Sequence, residues 1–194
     1  SETAAGADRV IFAGEGPPVI VFAAGFARSA AHRALAARFC VYAYESGVEA
    51  RAAGHAAAAW AEAQNFEKIG LIGAGARAGA AIWAAHALGE RASALVLASP
   101  RDLPLGGGDD PLAPLLRGVL TAKLILVGDE DGAAPADALS VFKKAFSRAN
   151  VALIHGAGAE IAHDRPAAFA HIAGDFLDRQ ERFRFMTESV AVSP

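Results

Sequence analysis

Short apolar runs alternate along the chain with longer stretches of helical character. Pro18–Ala23 (PVIVFA), Phe39–Tyr44 (FCVYAY), Lys68–Gly73 (KIGLIG), Ser93–Ala98 (SALVLA), Ala122–Val127 (AKLILV) and Asn150–Ile154 (NVALI) are almost continuously apolar. That pattern belongs to strands buried on both faces rather than to strands with one wet face. Arg9–Ala13 (RVIFA) reads as a short first strand. Helices are predicted over Ala30–Ala37, Val48–Gln64, Ala76–Leu88, Ala134–Ala149 and Pro166–Arg179. Continuous strands alternating with helices predict a three-layer α/β/α architecture, its mostly parallel sheet holding about six strands.

Three segments break the alternation. Gly14–Pro18 reads as a turn, and Leu103–Pro111 (LPLGGGDDP) as a glycine-rich loop. Gln180–Pro194 has no helical period; Phe183, Phe185 and Met186 alternate with Arg182 and Arg184, as in a short extended segment docked on the body or on a partner. No shift in composition marks a second domain. The expectation is one domain over residues 1–194, with a core over about 17–178 and a tail over 180–194.

Composition narrows the function classes. Hydrophobic residues make up 54% of the chain, which argues against a disordered chain. Much of that is alanine, so a limited set of larger residues must fill the core. A formal net charge of −3 argues against a nucleic-acid partner. No apolar stretch is long enough to span a membrane. The single cysteine, Cys40, cannot form an intrachain disulfide; it reads as a buried inert thiol and fits a reducing, cytoplasmic setting.

The stretch Lys68–Pro100, KIGLIGAGARAGAAIWAAHALGERASALVLASP, resembles the centre of α/β-hydrolases. In that family a strand ends in a Gly-x-Ser-x-Gly turn and a helix follows. A Pro-Glu-Arg-like link (here Gly89-Glu90-Arg91) then leads to an apolar strand ending in Ser-Pro (here Ser99-Pro100). Pro17–Gly25 resembles the strand that runs into the oxyanion loop. Gly128-Asp129-Glu130-Asp131 resembles the turn that carries the catalytic acid. His155–Pro166 resembles the Gly-x-Gly-His segment before the last helix. The resemblance runs from Pro17 to Asp178 and implies an α/β-hydrolase fold. Too few residues lie between Ala98 and Ala122 for a large cap.

Family chemistry needs a serine nucleophile, a histidine base, a carboxylate and backbone N–H donors for the oxyanion. The resemblance places the nucleophile position at Gly75 and the histidine position at Ala159, while Asp131 survives at the acid position. A frame shifted by two residues would place Arg77 at the nucleophile. In either frame no Ser, Thr, Cys or Asp occurs between Asn65 and Ala92. Glycine suits a turn whose backbone is normally strained. Arg77 replaces the motif's second glycine. Ala24-Gly25-Phe26 keeps the outline of the oxyanion loop, so Gly25, Phe26, Gly75, Ala76 and Arg77 are the candidate binding residues.

Other polar residues have plainer readings. His155, His163 and His171 are spaced His-x7-His-x7-His, which is no known ligand spacing, so no metal and no cofactor are expected. His32, His55 and His86 fall on predicted helices without an evident partner. Glu45 and Ser46 read as turn residues, and Asp109 and Asp110 as solvated loop residues. Ser99 and Asp102 follow a strand end, where open α/β sheets bind ligands. Trp60 and Trp83 read as helix-packing residues.

Three functions follow as alternatives. The first is a non-hydrolytic binding or partner protein, taking a small molecule, an acyl ligand or another protein. The second is an ester or thioester hydrolase, or another enzyme, with Asp131, His163 or Glu160 supplying the acid or base. The third is nucleotide or phosphate binding at Gly73-Ala74-Gly75-Ala76-Arg77-Ala78, a glycine pattern between strand and helix.

Overall fold

A computed structural model describes residues 2–5, 8–101, 103, 115, 118–132 and 149–182. Its strands are β1 (Glu2–Ala5), β2 (Asp8–Ala13), β3 (Pro18–Phe22), β4 (Cys40–Glu45), β5 (Ile69–Ala74), β6 (Ala92–Ala98), β7 (Ala122–Gly128) and β8 (Ala149–Ile154). They form one sheet in the order β1-β2-β4-β3-β5-β6-β7-β8. From β4 to β8 every neighbouring pair is parallel, whereas β1–β2 and β2–β4 are antiparallel.

The sheet is wider than the six or so strands expected. β2 is the short first strand expected over Arg9–Ala13; the strand that was not expected is β1, which pairs with β2 in a hairpin at one edge of the sheet. Glu2–Ala5 (ETAA) has no apolar run. Pairing with β2, and not its own composition, makes it a strand, and an alternation-based reading passes over it.

Helices cover both faces, as the doubly apolar strands require. On one face lie α2 (Ala50–Ala63) and α3 (Ala78–Leu88), packed on Ile20, Phe22, Leu71, Leu95 and Ile125. On the other lie α1 (Ala30–Ala36), the short α4 (Ile161–Asp164) and α5 (Pro166–Arg179), packed on Val19, Val21, Ile72, Val96 and Leu124. The larger core side chains include Phe22, Phe39, Phe169 and Phe176, each fully or almost fully buried. Alanine fills the remainder and lets helices approach closely. A Cβ added to Gly54 of α2 would lie 2.5 Å from Trp83 Cβ and 2.6 Å from the Ala80 carbonyl of α3. Trp83 is nearly buried there, with the Arg51 guanidinium 5.0 Å from its ring centroid. Trp60 packs edge-on against Tyr42 at 5.0 Å.

Local signals start the helices. Ser29 Oγ accepts from the His32 N–H at 3.1 Å and caps α1, and Glu49 Oε1 accepts from the Ala52 N–H at 2.9 Å and caps α2. Pro166 opens α5, where its missing N–H costs nothing. Cys40 is half-buried rather than buried, because it stands at the first position of β4 instead of mid-strand. Most of the helix expected over Ala134–Ala149, and the segment holding Phe183, Phe185 and Met186, lie outside the described residues, as do Asp102, Asp109 and Asp110.

The strand order reverses between β3 and β5: β4 lies to one side of β3, and every later strand lies to the other. The loops leaving the C-terminal ends of these strands therefore diverge and leave a crevice, the usual ligand position in such sheets.

Candidate functional site

β5 ends at Ala74 and turns directly into a 3-10 turn, Gly75–Arg77, which continues as α3. Gly75 has φ +55, the left-handed region that a side chain makes costly. A Cβ built there meets no atom of the described residues within 4 Å. Two residues earlier the packing is the reverse. A Cβ on Gly73 would lie 2.7 Å from Ala81 Cβ and 2.8 Å from Ala78 Cα, because α3 rests directly on the strand end. Arg77 has an ordinary helical backbone (φ −88, ψ −3). Positive φ at Gly75 and close packing at Gly73 favour the frame with Gly75 at the turn apex over the shifted frame. Arg77 is half-buried, and its Nη1 reaches toward the Val48 carbonyl at 3.5 Å.

The loop after β3 contains Gly25, exposed and at φ +64, followed by Phe26. The Phe26 ring is buried, 5.6 Å from the His32 ring and 6.2 Å from Phe169. Its N–H donates to the Ala23 carbonyl in a long 3.4 Å bond, so the donor that the family pattern assigns to an oxyanion is used within the turn. His32 supports this loop from below. Its Nδ1 accepts the Arg28 N–H at 2.8 Å, which holds Arg28 at φ +65. Burial pulls the pKa of His32 down, opposed by the Val41 backbone. The neutral ring is therefore the form that fits.

Asp131 follows β7 and is almost wholly buried, its side chain 4% exposed. Its Oδ1 accepts from Arg101 Nη2 at 3.1 Å, and the arginine side chain is 40% exposed. The Arg101 N–H in turn donates to the Gly75 carbonyl at 3.1 Å. The loop after β6 is thus tied to the β5 turn and delivers a cation to the acid. Two residues before Arg101, Ser99 is at φ +39 and buried, with an Oγ that meets no hydrogen-bond partner.

Ala159 is half-exposed in the loop between β8 and α4. Several polar contacts hold that loop. Asp129 Oδ2 pairs with His155 Nδ1 at 2.5 Å, and Oδ1 accepts the Gly156 N–H at 2.8 Å. The His155 contact is the main cause holding the Asp129 carboxyl below its usual range. Asp164 accepts the Gly158 N–H, and Arg165 donates to the His155 carbonyl. A Cβ on Gly128 would lie 2.1 Å from the Ala157 carbonyl oxygen, so this loop seats directly on the end of β7. His155, His163 and His171 are all exposed and do not converge, and no metal-binding group occurs among the described residues. Glu160 is exposed, Glu45 is the last residue of β4, and Ser46 Oγ accepts the Val48 N–H at 3.3 Å.

Gly25, Gly75 and Asp131, which sequence reasoning singled out, each follow the C-terminal end of a parallel strand, β3, β5 and β7. The same reasoning singled out Ser99 as a strand-end candidate, read His32 as a helix residue without a partner, and missed Arg101. Arg101 and Asp131 are 30 residues apart, and their contact depends on β6 lying beside β7. The available signal was the position of Ser99-Pro100-Arg101 immediately after a buried strand. No helix among the described residues is long and apolar enough to cross a membrane.

No family model matches the chain, and no curated protein does. Solved structures do match. A CIB-like hydrolase from Thermoplasma acidophilum aligns with TM-score 0.72 at 15% identity, over 91% of this chain and 96% of that one. MGS-MChE2, an α/β hydrolase from a sediment metagenome of the Mar Chica lagoon, Morocco, aligns with TM-score 0.73 at 15% identity, over 92% and 99%. A serine hydrolase involved in carbazole degradation aligns with TM-score 0.72 at 17% identity, over 88% and 94%. Likeness at this identity, over nearly the whole of each chain, is likeness of fold: this protein has the α/β-hydrolase fold.

Proposed function

We propose that this protein is a non-hydrolytic member of the fold that serves as a binding or partner protein. The observation that carries the reading is the partner of Asp131. In a hydrolytic triad a buried acid orients an imidazole, which takes the proton of a serine at the strand-to-helix turn. Here the acid is paired with Arg101, and the turn carries Gly75. A guanidinium does not give up its proton near neutral pH and so cannot act as the base. With no hydroxyl or thiol at the turn, there is no atom to form an acyl-enzyme at that position.

The test is release of p-nitrophenol from a short-chain ester, compared with a heat-killed control. The wild type is expected to be inert. A Gly75→Ser/Ala159→His/Arg101→Ala variant restores the missing groups and frees Asp131; turnover gained by this variant supports both the placement and the reading. Wild-type turnover that disappears in Asp131→Asn overturns it.

A further inference from the structure

A cation stands in the crevice for which the reading above gives no use. Asp131 is buried, whereas the Arg101 side chain that pairs with it is 40% exposed. The guanidinium has five N–H donors in a rigid fork. One, on Nη2, goes to Asp131. Nε is buried and meets no acceptor. Two residues away, the Ser99 hydroxyl is also buried without a partner. Buried polar groups are nearly always satisfied, and two such groups two residues apart, just past the C-terminal end of β6, point to a ligand that satisfies them. Among the described residues there is room for one: Cβ atoms built on Gly75 and on Gly25 meet none of their atoms within 4 Å.

We propose that the crevice is a receptor for the carboxylate of a small organic acid, with Arg101 as the anchoring cation. The proposal rests on the non-hydrolytic reading and names its ligand class. Arginine is permanently charged, and Asp131 holds it in one orientation, so the fork is set before the ligand arrives. A carboxylate can accept two parallel N–H bonds from such a fork; an ester offers one neutral carbonyl. The helix start beside Gly75 adds the positive end of the helix dipole. Replacing the triad histidine by a fixed cation thus exchanges affinity for an ester for affinity for an acid.

The test is calorimetric titration of the wild type with acetate, butyrate and hexanoate, beside the matching methyl esters and primary amides. An acid should bind roughly tenfold to a hundredfold more tightly than its amide, the range of a charge-assisted bond. The Arg101→Gln/Asp131→Asn variant keeps a hydrogen-bonded pair of similar shape without charge. It should lose the preference while keeping the wild-type melting temperature within a few degrees. Arg101→Lys, which keeps the charge but not the fork, should retain part of it. Equal binding of acid and amide, an unchanged preference in the neutral pair variant, or no heat with any acid overturns the proposal. Hydrolysis of the methyl ester by the wild type would instead overturn the non-hydrolytic reading, and the acid-against-amide comparison would still score the carboxylate site.

Discussion

Gly73 and Gly75 differ by two positions and answer opposite demands. At Gly73 the constraint is space, because α3 closes on the strand end. At Gly75 the constraint is the backbone, φ +55, while a Cβ meets no atom of the described residues within 4 Å. Gly73→Ala should therefore lower stability by about 2 kcal/mol or more, as overpacking in a core does. Gly75→Ser should cost only about 1–2 kcal/mol, the left-handed penalty of a residue with a side chain. Urea unfolding of the two variants checks the ranking, and a Gly73→Ala protein as stable as Gly75→Ser would show that the turn is built otherwise. Both glycines are visible in the sequence. Which of them was needed for space and which for φ became visible only with α3 in place.

At the scale of elements, α1 and the loop before it act as one unit. Ser29 Oγ holds the first turn of the helix, and His32, on that turn, reaches back to the Arg28 N–H. Ser29→Ala should destabilise by about 1 kcal/mol, the usual value of an N-cap. The same change should broaden the amide resonances of Gly25–Arg28, since the loop loses the helix start that presents His32 to it. Nuclear magnetic resonance spectra reporting sharp, unshifted loop amides in that variant would separate the loop from the cap. The hydrophobic pattern predicted α1 well, whereas His32 read as a helix residue without a partner. Its role lies in a hydrogen bond to a backbone group, and hydrophobic periodicity carries no information about backbone donors.

At the scale of the molecule, two groups tie stability to pH. The pKa of His32 is lower in the fold than its usual 6.5. As pH falls below 6.5 the unfolded chain takes up that proton first, so the stability present above 6.5 is lost progressively until the folded state titrates as well. The carboxyl of Asp129 lies below its usual 3.8. By the same linkage, its contribution is present above 3.8 and is lost only as pH falls beneath that. Urea midpoints measured from pH 8 down to pH 3 should fall in two stages. His32→Asn, which keeps an acceptor for the Arg28 N–H, should remove the upper stage and leave the lower. A single acid transition in both proteins would show that His32 does not couple to folding. Lys123 shows the limit of pattern reading at this scale. It interrupts an apolar strand as a surface residue would, yet it is fully buried, with its Nζ donating to the Thr121 carbonyl at 2.9 Å.

By itself the sequence determined the layered α/β class, most strand and helix positions and the absence of a nucleophile between Asn65 and Ala92. These are local properties: burial on both strand faces writes a continuous apolar run, and a missing hydroxyl is missing in any fold. The tertiary structure decided the remainder. It recruited Glu2–Ala5 into the sheet by pairing, seated the β8 loop on Gly128, and brought Arg101 to Asp131 across adjacent strands. Each depends on residues far apart in the chain becoming neighbours. Contacts of that kind are set by strand order, which no single segment encodes.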